Sequence, residues 1–449
     1  MIMKIPPEVD LILRKLTVQG YEAYAVGGCV RDSLLGKKPH DWDVTTSARP
    51  EETEAVFRNL RTIETGLKHG TVTVLSGETP VEVTTYRIDG TYSDGRHPDS
   101  VCFTGNLRDD LARRDFTVNT LACGSDGTIT DIFGGQDDLK AGIIRCVGDA
   151  NTRFREDGLR ILRALRFASV LGFTIEDKTA KSAVRNRALL GKIAKERIHE
   201  EFVKLLCGKD AAQVLRKYRD IIAEFIPELH PCFDFQQHNP HHIYDVWEHT
   251  LHSLEATDPD PVLRLAVLLH DVGKPQCFTL GKDGSGHFYG HSEKSAVLAQ
   301  SIFSRLRFDR KTSDTAVKLI RSHGIPLWPD ERCLRRRLNK IGEKDLRLLI
   351  KVEEADAAGK APSEERDHYL ASLHEIPAML DRIMAQRQCF CLQDLAVSGD
   401  ELIRAGIPKG PEVGRILKVL LGAVLDGKCR NTSEDLLILA RAEKEGISL

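Results

Sequence analysis

Two aspartates, Asp41 and Asp43, stand two positions apart at the end of the stretch GGCVRDSLLGKKPHDWDV, residues 27–44. On a predicted strand, the side-chain period of two turns both carboxylates to one side and Trp42 to the other. Carboxylates that converge in this way suit Mg²⁺, which takes oxygen ligands and keeps several waters. The stretch opens on Gly27 and Gly28, at a predicted strand-to-helix junction where bare backbone amides can approach a phosphate and the helix start favours negative charge. Arg31, one turn into that helix, supplies a fixed cation for a triphosphate. A glycine pair alone reads as a tight turn and a lone Asp-x-Asp as a surface strand edge; together with the arginine they point to phosphoryl transfer. Glu82, in the strand-like VEVTTY, is a candidate third carboxylate and is equally readable as a strand-surface glutamate.

Further along, Asp157, Arg160, Arg163 and Arg166 fall three apart in REDGLRILRALRF, residues 155–167, and so form one slowly drifting stripe on a predicted helix. Nine of the 16 histidines fall within residues 230–291. There LRLAVLLHDVGK places an apolar helix directly before His270 and Asp271, where buried polar groups need partners.

The elements that must position these groups change in texture along the chain. The first ~145 residues read as α/β, with short β-rich runs (YAVGG, DWDVTT, TVTVL, VEVTTY) and a helix over residues 50–60. Residues 155–206 carry apolar positions at helical spacing. Residues 151–220 hold 17 Lys+Arg against 9 Asp+Glu, although the whole chain of 449 residues has 64 against 66. That balance excludes a partner bound by charge over the entire surface and leaves a regional basic neck. The loop GIPKGPEVG precedes a strongly periodic helix over 413–425. The expected borders are 1–145 for the head, 146–229 for the neck, 230–360 for the histidine-rich region and 361–449 for a helical tail. Eleven cysteines without a Cys-x-x-Cys repeat fit reduced, mostly buried thiols. No apolar run approaches the ~20 residues that span a bilayer, and the N-terminus MIMKIPPEVD lacks a signal-peptide core, so the protein is expected to be cytoplasmic, with no membrane partner.

Four blocks in order, GGCVRDSLLG with DWD, ARRDFTVNTLA (112–122), DIFGGQDDL (131–139) and REDGLRILRALRF, resemble the signature of bacterial tRNA nucleotidyltransferases of the poly(A) polymerase/CCA-adding family, class II. The resemblance continues to GIPKGPEVG and so covers nearly the whole chain. It implies an α+β protein, with a polymerase-β-like α/β head followed by all-α neck, HD and tail domains. It implies addition of C, C and A to tRNA from CTP and ATP, with Asp41 and Asp43 catalytic on Mg²⁺. Gly28, Arg31, Arg114, Asp157, Arg160, Arg163 and Arg166 are then nucleotide-binding, and Asp157 and Arg160 read the base. An Asp acceptor beside an Arg donor matches the amine and ring nitrogen of C and A and mismatches U and G. Asp115 and Asn119 are expected to hold the local backbone or the sugar.

The segment RIDGTYSDGRHPDSV, residues 87–101, resembles the flexible loop of complete CCA-adding and A-adding enzymes. TGLKHGTVTV, residues 65–74, resembles the CCA type of head. An A-adding-only enzyme and a poly(A) polymerase stay as alternatives. tRNA is expected along the neck and the C-terminal helices, including Arg335, Arg336 and Arg337. His249, His270, Asp271, His291, His323 and Asp356 resemble the ligand order of an HD-superfamily metal domain. Imidazole-rich ligands favour Mn, Fe, Co or Ni over Mg²⁺, and the domain is then a candidate phosphohydrolase or 2′,3′-cyclic phosphodiesterase.

Base reading has a direct check. Asp157→Ala, offered CTP, ATP, UTP and GTP in competition, is expected to lose its preference for C and A; unchanged choice of nucleotide would sink the assignment.

Overall fold

The computed structural model describes residues 3–66, 70–90, 100–238 and 243–445. The chain forms two compact units, Met1–Pro227 and Glu228–Leu449. Among the described residues no helix is long and apolar enough to cross a membrane.

The first unit opens on a mixed sheet. Its strands are β1 (Ala23–Val26), β2 (Asp43–Thr46), β3 (Thr62–Gly66), β4 (Thr71–Ser76) and β5 (Thr79–Thr85). A short ribbon, β6 (Arg87–Asp89) with β7 (Val101–Phe103), precedes β8 (Ala122–Cys123) and β9 (Ile129–Thr130). The main sheet runs β3-β4-β5-β2-β1-β8-β9, with only β2 and β5 parallel. Apolar residues alternate inward along it, Val72 and Val74 on β4 and Val81 and Val83 on β5, and all are buried. Residues 91–99 of the expected flexible loop and 67–69 of the TGLKHGTVTV stretch lie outside the described residues.

Two expectations about elements are corrected. The strand carrying the aspartates begins at Asp43, so Asp41 precedes it. The expected alternation still holds across the boundary, since Trp42 is buried and both aspartates are exposed. The helix expected over 50–60 ends at Val56, because Phe57 turns fully into the core and its carbonyl closes a turn by accepting from the Leu60 amide.

The DIFGGQDDL block is a structural clamp. Gly134 adopts φ 74°, and the following helix, Gly135–Ala141, is entered with the Asp131 carboxylate accepting from the Gly135 and Gln136 amides at 2.9 Å each. A Cβ on Gly135 would lie 2.3 Å from the Thr117 carbonyl oxygen, so only glycine lets this helix reach the 117–119 turn. Asp138 completes the contact by accepting from the Thr117 hydroxyl at 2.6 Å.

The neck is built from helices Ala150–Glu156, Leu159–Leu171, Asp177–Arg185 and Lys195–Leu206. Leu162, Leu165, Ile198, Phe202 and Leu205 are fully buried, and Phe202 meets Phe225 edge-to-face at 5.2 Å. The expected single stripe from Asp157 to Arg166 is broken. Gly158 caps the helix that begins at Leu159, so Asp157 lies before it in an extended conformation, with φ −140° and ψ 106°.

In the second unit, Asp245, Asp260 and Asp309 cap helices Val246–Glu255, Pro261–Leu269 and Arg310–Ser322 through their side chains. Helices His291–Arg305 and Glu343–Ala358 complete the histidine-rich bundle. Pro261–Leu269 is apolar along most of its length, which drives it to the centre of the bundle and carries His270 and Asp271 inside with it. The tail helices Gly399–Arg404, Pro411–Leu425 and Ser433–Glu445 close on Leu402, Ile416, Leu420, Leu436 and Ala440. The expected basic cluster at 335–337 is not a free patch. Arg337 is buried and donates to the Ile325 carbonyl, Arg336 pairs with Asp426, and Arg335 donates to Gln388.

Gly135→Ala is expected to lower the unfolding free energy of the first unit by about 1–3 kcal/mol, the usual range for overpacking. A calorimetric scan showing an unchanged transition would refute the clamp.

Candidate active site

A cleft of about 820 Å³ opens in the first unit, lined by Gly27, Gly28, Asp41 and Asp43 from the head and by Arg163 and Arg166 from the neck. Arg31, Arg114, Asp115 and Asn119 line it as well. Gly27 stands at φ 86°, and a Cβ there would lie 3.1 Å from Arg114 Nη1; Gly28 has no comparable close approach. The first glycine of the pair is therefore the one that geometry requires. Arg114 pairs loosely with Asp110 at 3.5 Å, while its buried Nε finds no acceptor among the described residues. A buried N–H left unsatisfied is costly, and a bound ligand is one partner that would satisfy it.

Asp43 and Glu82 are direct partners in the parallel β2–β5 pair. Asp43 is exposed as a residue, yet the cleft walls take enough water from its carboxyl to raise it; Glu82 and Asp41 push it further up, and Arg114 only partly opposes them. Surplus carboxylate that a neighbouring guanidinium does not neutralise is the donor chemistry a divalent oxygen-loving cation satisfies, so these residues fit one.

Asp115 ties the two walls together. Its Oδ1 accepts from the Phe116 amide and from Asn119 Nδ2, both at 2.9 Å, and its Oδ2 accepts from Arg163 Nε at 2.9 Å and Nη2 at 2.7 Å. Asn119 in turn accepts from Arg31 Nη1 at 2.7 Å. Burial alone would raise the Asp115 carboxyl; Arg163 and Asn119 outweigh it and hold the group far below the usual carboxylate range. Arg166 pairs with the buried Glu201 at 3.0 Å.

Asp157 and Arg160 do not line the cleft. Asp157 accepts from Arg197 at 2.8 Å, and Arg160 pairs with Glu156 at 2.5 Å and donates to the Arg113 carbonyl at 3.0 Å. Sequence reasoning passed over Lys37, Lys38, His40, Phe167 and Lys204, which line the cleft, and Glu201, which positions Arg166. The Lys37-Lys38 pair, set between the glycines and the aspartates, was a readable signal; nothing local marks Glu201.

The second unit holds a separate centre. The ligand atoms of His249, His270, Asp271 and Asp356 lie within 4.8 Å of one another, as do those of Asp271, His291 and His323, so Asp271 belongs to both groups. Every one of the four histidines turns Nδ1 to a backbone carbonyl: His249 to Gly359 at 3.0 Å, His270 to Val267 at 2.7 Å, His291 to Phe288 at 2.8 Å and His323 to Ile320 at 2.5 Å. Those bonds place the proton on Nδ1 and leave the Nε2 lone pairs facing inward. Nε2 of His249 then meets Nε2 of His270 at 3.3 Å, and Nε2 of His291 meets that of His323 at 3.3 Å. Two acceptors facing each other need a cation between them, and the donor set fits a metal. Burial would lower His270, but Asp271 and Asp356 push it up to about 10, so in the protein alone a proton on its Nε2 is the cation that lies between the two rings. Lys274 and Lys360, which sequence reasoning passed over, stand 2.7 and 2.6 Å from Asp271 and Asp356.

Asp115→Asn removes the carboxylate paired with Arg163 and leaves it the more distant Glu201, at 3.6 Å. Because the folded carboxyl is depressed, its stabilisation is present above the unfolded value near 3.9 and is lost as pH falls through the folded one. The variant is therefore expected to be less stable than the native protein by about 3–5 kcal/mol at pH 7, with the gap narrowing only below about pH 4. Urea titrations across that range would show it, and equal midpoints at pH 7 would refute the role.

Comparison with known proteins agrees with this arrangement. The family model described as "Poly A polymerase head domain" matches residues 23–145, and "Probable RNA and SrmB- binding site of polymerase A" matches 172–233. "HD domain" matches 241–358, and a model for tRNA nucleotidyltransferase domain 2 matches 364–440. The CCA-adding enzyme of Leuconostoc mesenteroides is 36% identical over 442 residues, 97% of this chain and 96% of that one. That of Latilactobacillus sakei is 49% identical over 437 residues, 96% of each chain. Among solved structures, the Bacillus stearothermophilus CCA-adding enzyme in complex with CTP superposes with a TM-score of 0.72 at 30% identity, over 98% of this chain and 99% of that one. The Thermotoga maritima CCA-adding enzyme complexed with tRNA shares the fold, with a TM-score of 0.62 at 20% identity over 99% of this chain and 100% of that one. Homology along nearly the full length of both chains, with the carboxylate and arginine walls of one cleft in place, makes this protein a member of the CCA-adding enzyme family.

Proposed function

We propose that this chain adds C, C and A to the 3′ end of tRNA from CTP and ATP, releasing pyrophosphate. The observation that carries the reading is the cleft in which Asp41 and Asp43 share a space with the free Nε of Arg114 and the guanidiniums of Arg163 and Arg166. In this reading the 3′-hydroxyl gives up its proton to solvent as its oxygen bonds to the α-phosphorus, the bond to the bridging oxygen of the β-phosphate breaks, and pyrophosphate leaves. Held by Asp41 and Asp43, with Glu82 beside them, Mg²⁺ would supply activation of the hydroxyl and neutralisation of the leaving group. Arg114 donates to phosphate oxygens, Gly27 gives it room, and Arg31, Arg163 and Arg166 offset triphosphate charge. Asp157 and Arg160 read the base edge, exchanging Arg197 and Glu156 for it. The relatives named as CCA-adding enzymes, together with the solved complexes with CTP and tRNA, support the substrates. Eleven free cysteines support action in the cytoplasm, where thiols stay reduced.

A tRNA lacking its terminal CCA, given CTP alone, ATP alone or both, is expected to gain two residues, none and three. Failure to take up CTP would exclude the reading, and Asp41→Ala and Asp43→Ala are each expected to abolish the ladder.

The histidine centre favours a second activity, a metal-dependent phosphohydrolase in the HD region. Four converging Nε2 atoms and two carboxylates suit Mn, Fe, Co or Ni. Stripping metal with a chelator is expected to lower the melting temperature and abolish phosphatase activity, and readdition to restore both. His270→Ala is expected to remove metal uptake while CCA addition persists; full metal content in that variant would overturn the assignment.

A further inference from the structure

Phe167 lies where the head and neck of the first unit meet, and three guanidinium groups surround its ring. Arg166 stands 4.1 Å from the ring centroid, Arg31 4.8 Å and Arg163 5.5 Å. Phe116 of the head closes the arrangement edge-to-face, with centroids 5.8 Å apart and planes at 84°. Three like charges gathered around one side chain repel one another, so something must hold them there. Each guanidinium has a carboxylate close by, Asp32 for Arg31 at 2.8 Å, Asp115 for Arg163 at 2.7 Å and Glu201 for Arg166 at 3.0 Å, and Glu201 also reaches Arg163 at 3.6 Å. Those three acids come from three segments, a head helix, the 113–119 turn and a neck helix. Glu201 links Arg163 with Arg166, and Asn119 with Asp115 links Arg31 with Arg163, but no one of these acids reaches all three. The ring of Phe167 is shared by all three, and its negative face attracts cations. It is also buried, at 6% exposure, at the edge of the cleft that all three arginines line.

We infer that Phe167 is a positioning residue for the incoming nucleotide, gathering Arg31, Arg163 and Arg166 into one phosphate-facing array through the attraction of its ring for their charge. The inference rests on the reading that these arginines contact the nucleotide. A side chain that only filled space would be replaceable by any apolar group of similar size. One that acts through its ring would respond to the electron density of that ring at constant shape.

The test incorporates phenylalanines with one, two and three ring fluorines at position 167 and measures CTP and ATP addition in the full-length protein. KM for both nucleotides is expected to climb stepwise, to about tenfold at three fluorines, while kcat and the melting temperature stay near native. Phe167→Tyr is expected to keep KM near native, and Phe167→Leu to raise it as the fluorinated series does. Arg166→Gln is the control for the underlying reading. Raised KM in Arg166→Gln with a flat fluorine series overturns the role of Phe167 and leaves the arginines as nucleotide contacts. Unchanged KM in Arg166→Gln overturns that reading, and the inference with it.

Discussion

The pair between buried Asp115 and half-buried Arg163 is the contact on which the first unit's cleft depends. One carboxylate takes both hydrogen bonds that a guanidinium can direct along one edge, and its other oxygen takes the Phe116 amide and Asn119. Since Asn119 also receives Arg31, two linked side chains on a short turn set arginines of the head and the neck at once. Such a pair gains little over apolar packing in net stability, because both charges lose water. Its value is geometric: each wall of the cleft is oriented by the other. The clamp at Gly134 and Gly135 extends the same logic, since it presses a helix against the turn that carries Asn119.

Electrostatic frustration marks both candidate centres, with different donors. In the head, oxygen ligands accumulate beside a strand pair and Arg114 only partly answers them. In the second unit, paired imidazole nitrogens face each other with their protons committed to backbone carbonyls. The first donor set suits a hard cation and the second a softer one. The lysines beside Asp271 and Asp356 supply positive charge in the protein alone, which keeps two buried carboxylates from standing unpaired.

Much of this was legible from residue order because the groups concerned are local. Glycine, arginine and the aspartate pair lie within seventeen residues, and an apolar helix that ends in His-Asp announces a buried polar centre. The β-runs followed from alternation and the neck helices from apolar residues at helical spacing. What escaped was set by partners distant in the chain. Asp157 and Arg160 look like neighbours on one stripe, yet Gly158 starts a new helix between them, and Arg197, forty residues on, takes the carboxylate. Arg335, Arg336 and Arg337 look like a basic patch, yet one turns inward and another meets Asp426.

The amino-acid sequence by itself determined the chemical inventory: which carboxylates, guanidiniums and imidazoles exist, in what spacing, and in which family-like blocks. Those are properties of covalent order and of periods of two or 3.6 residues. Only the tertiary structure decided which of them meet. That Glu201 holds Arg166, that Arg114 keeps one N–H free and that one phenylalanine gathers three arginines all depend on contacts between separated segments. Such contacts follow from packing the whole core at once, and no local pattern encodes them.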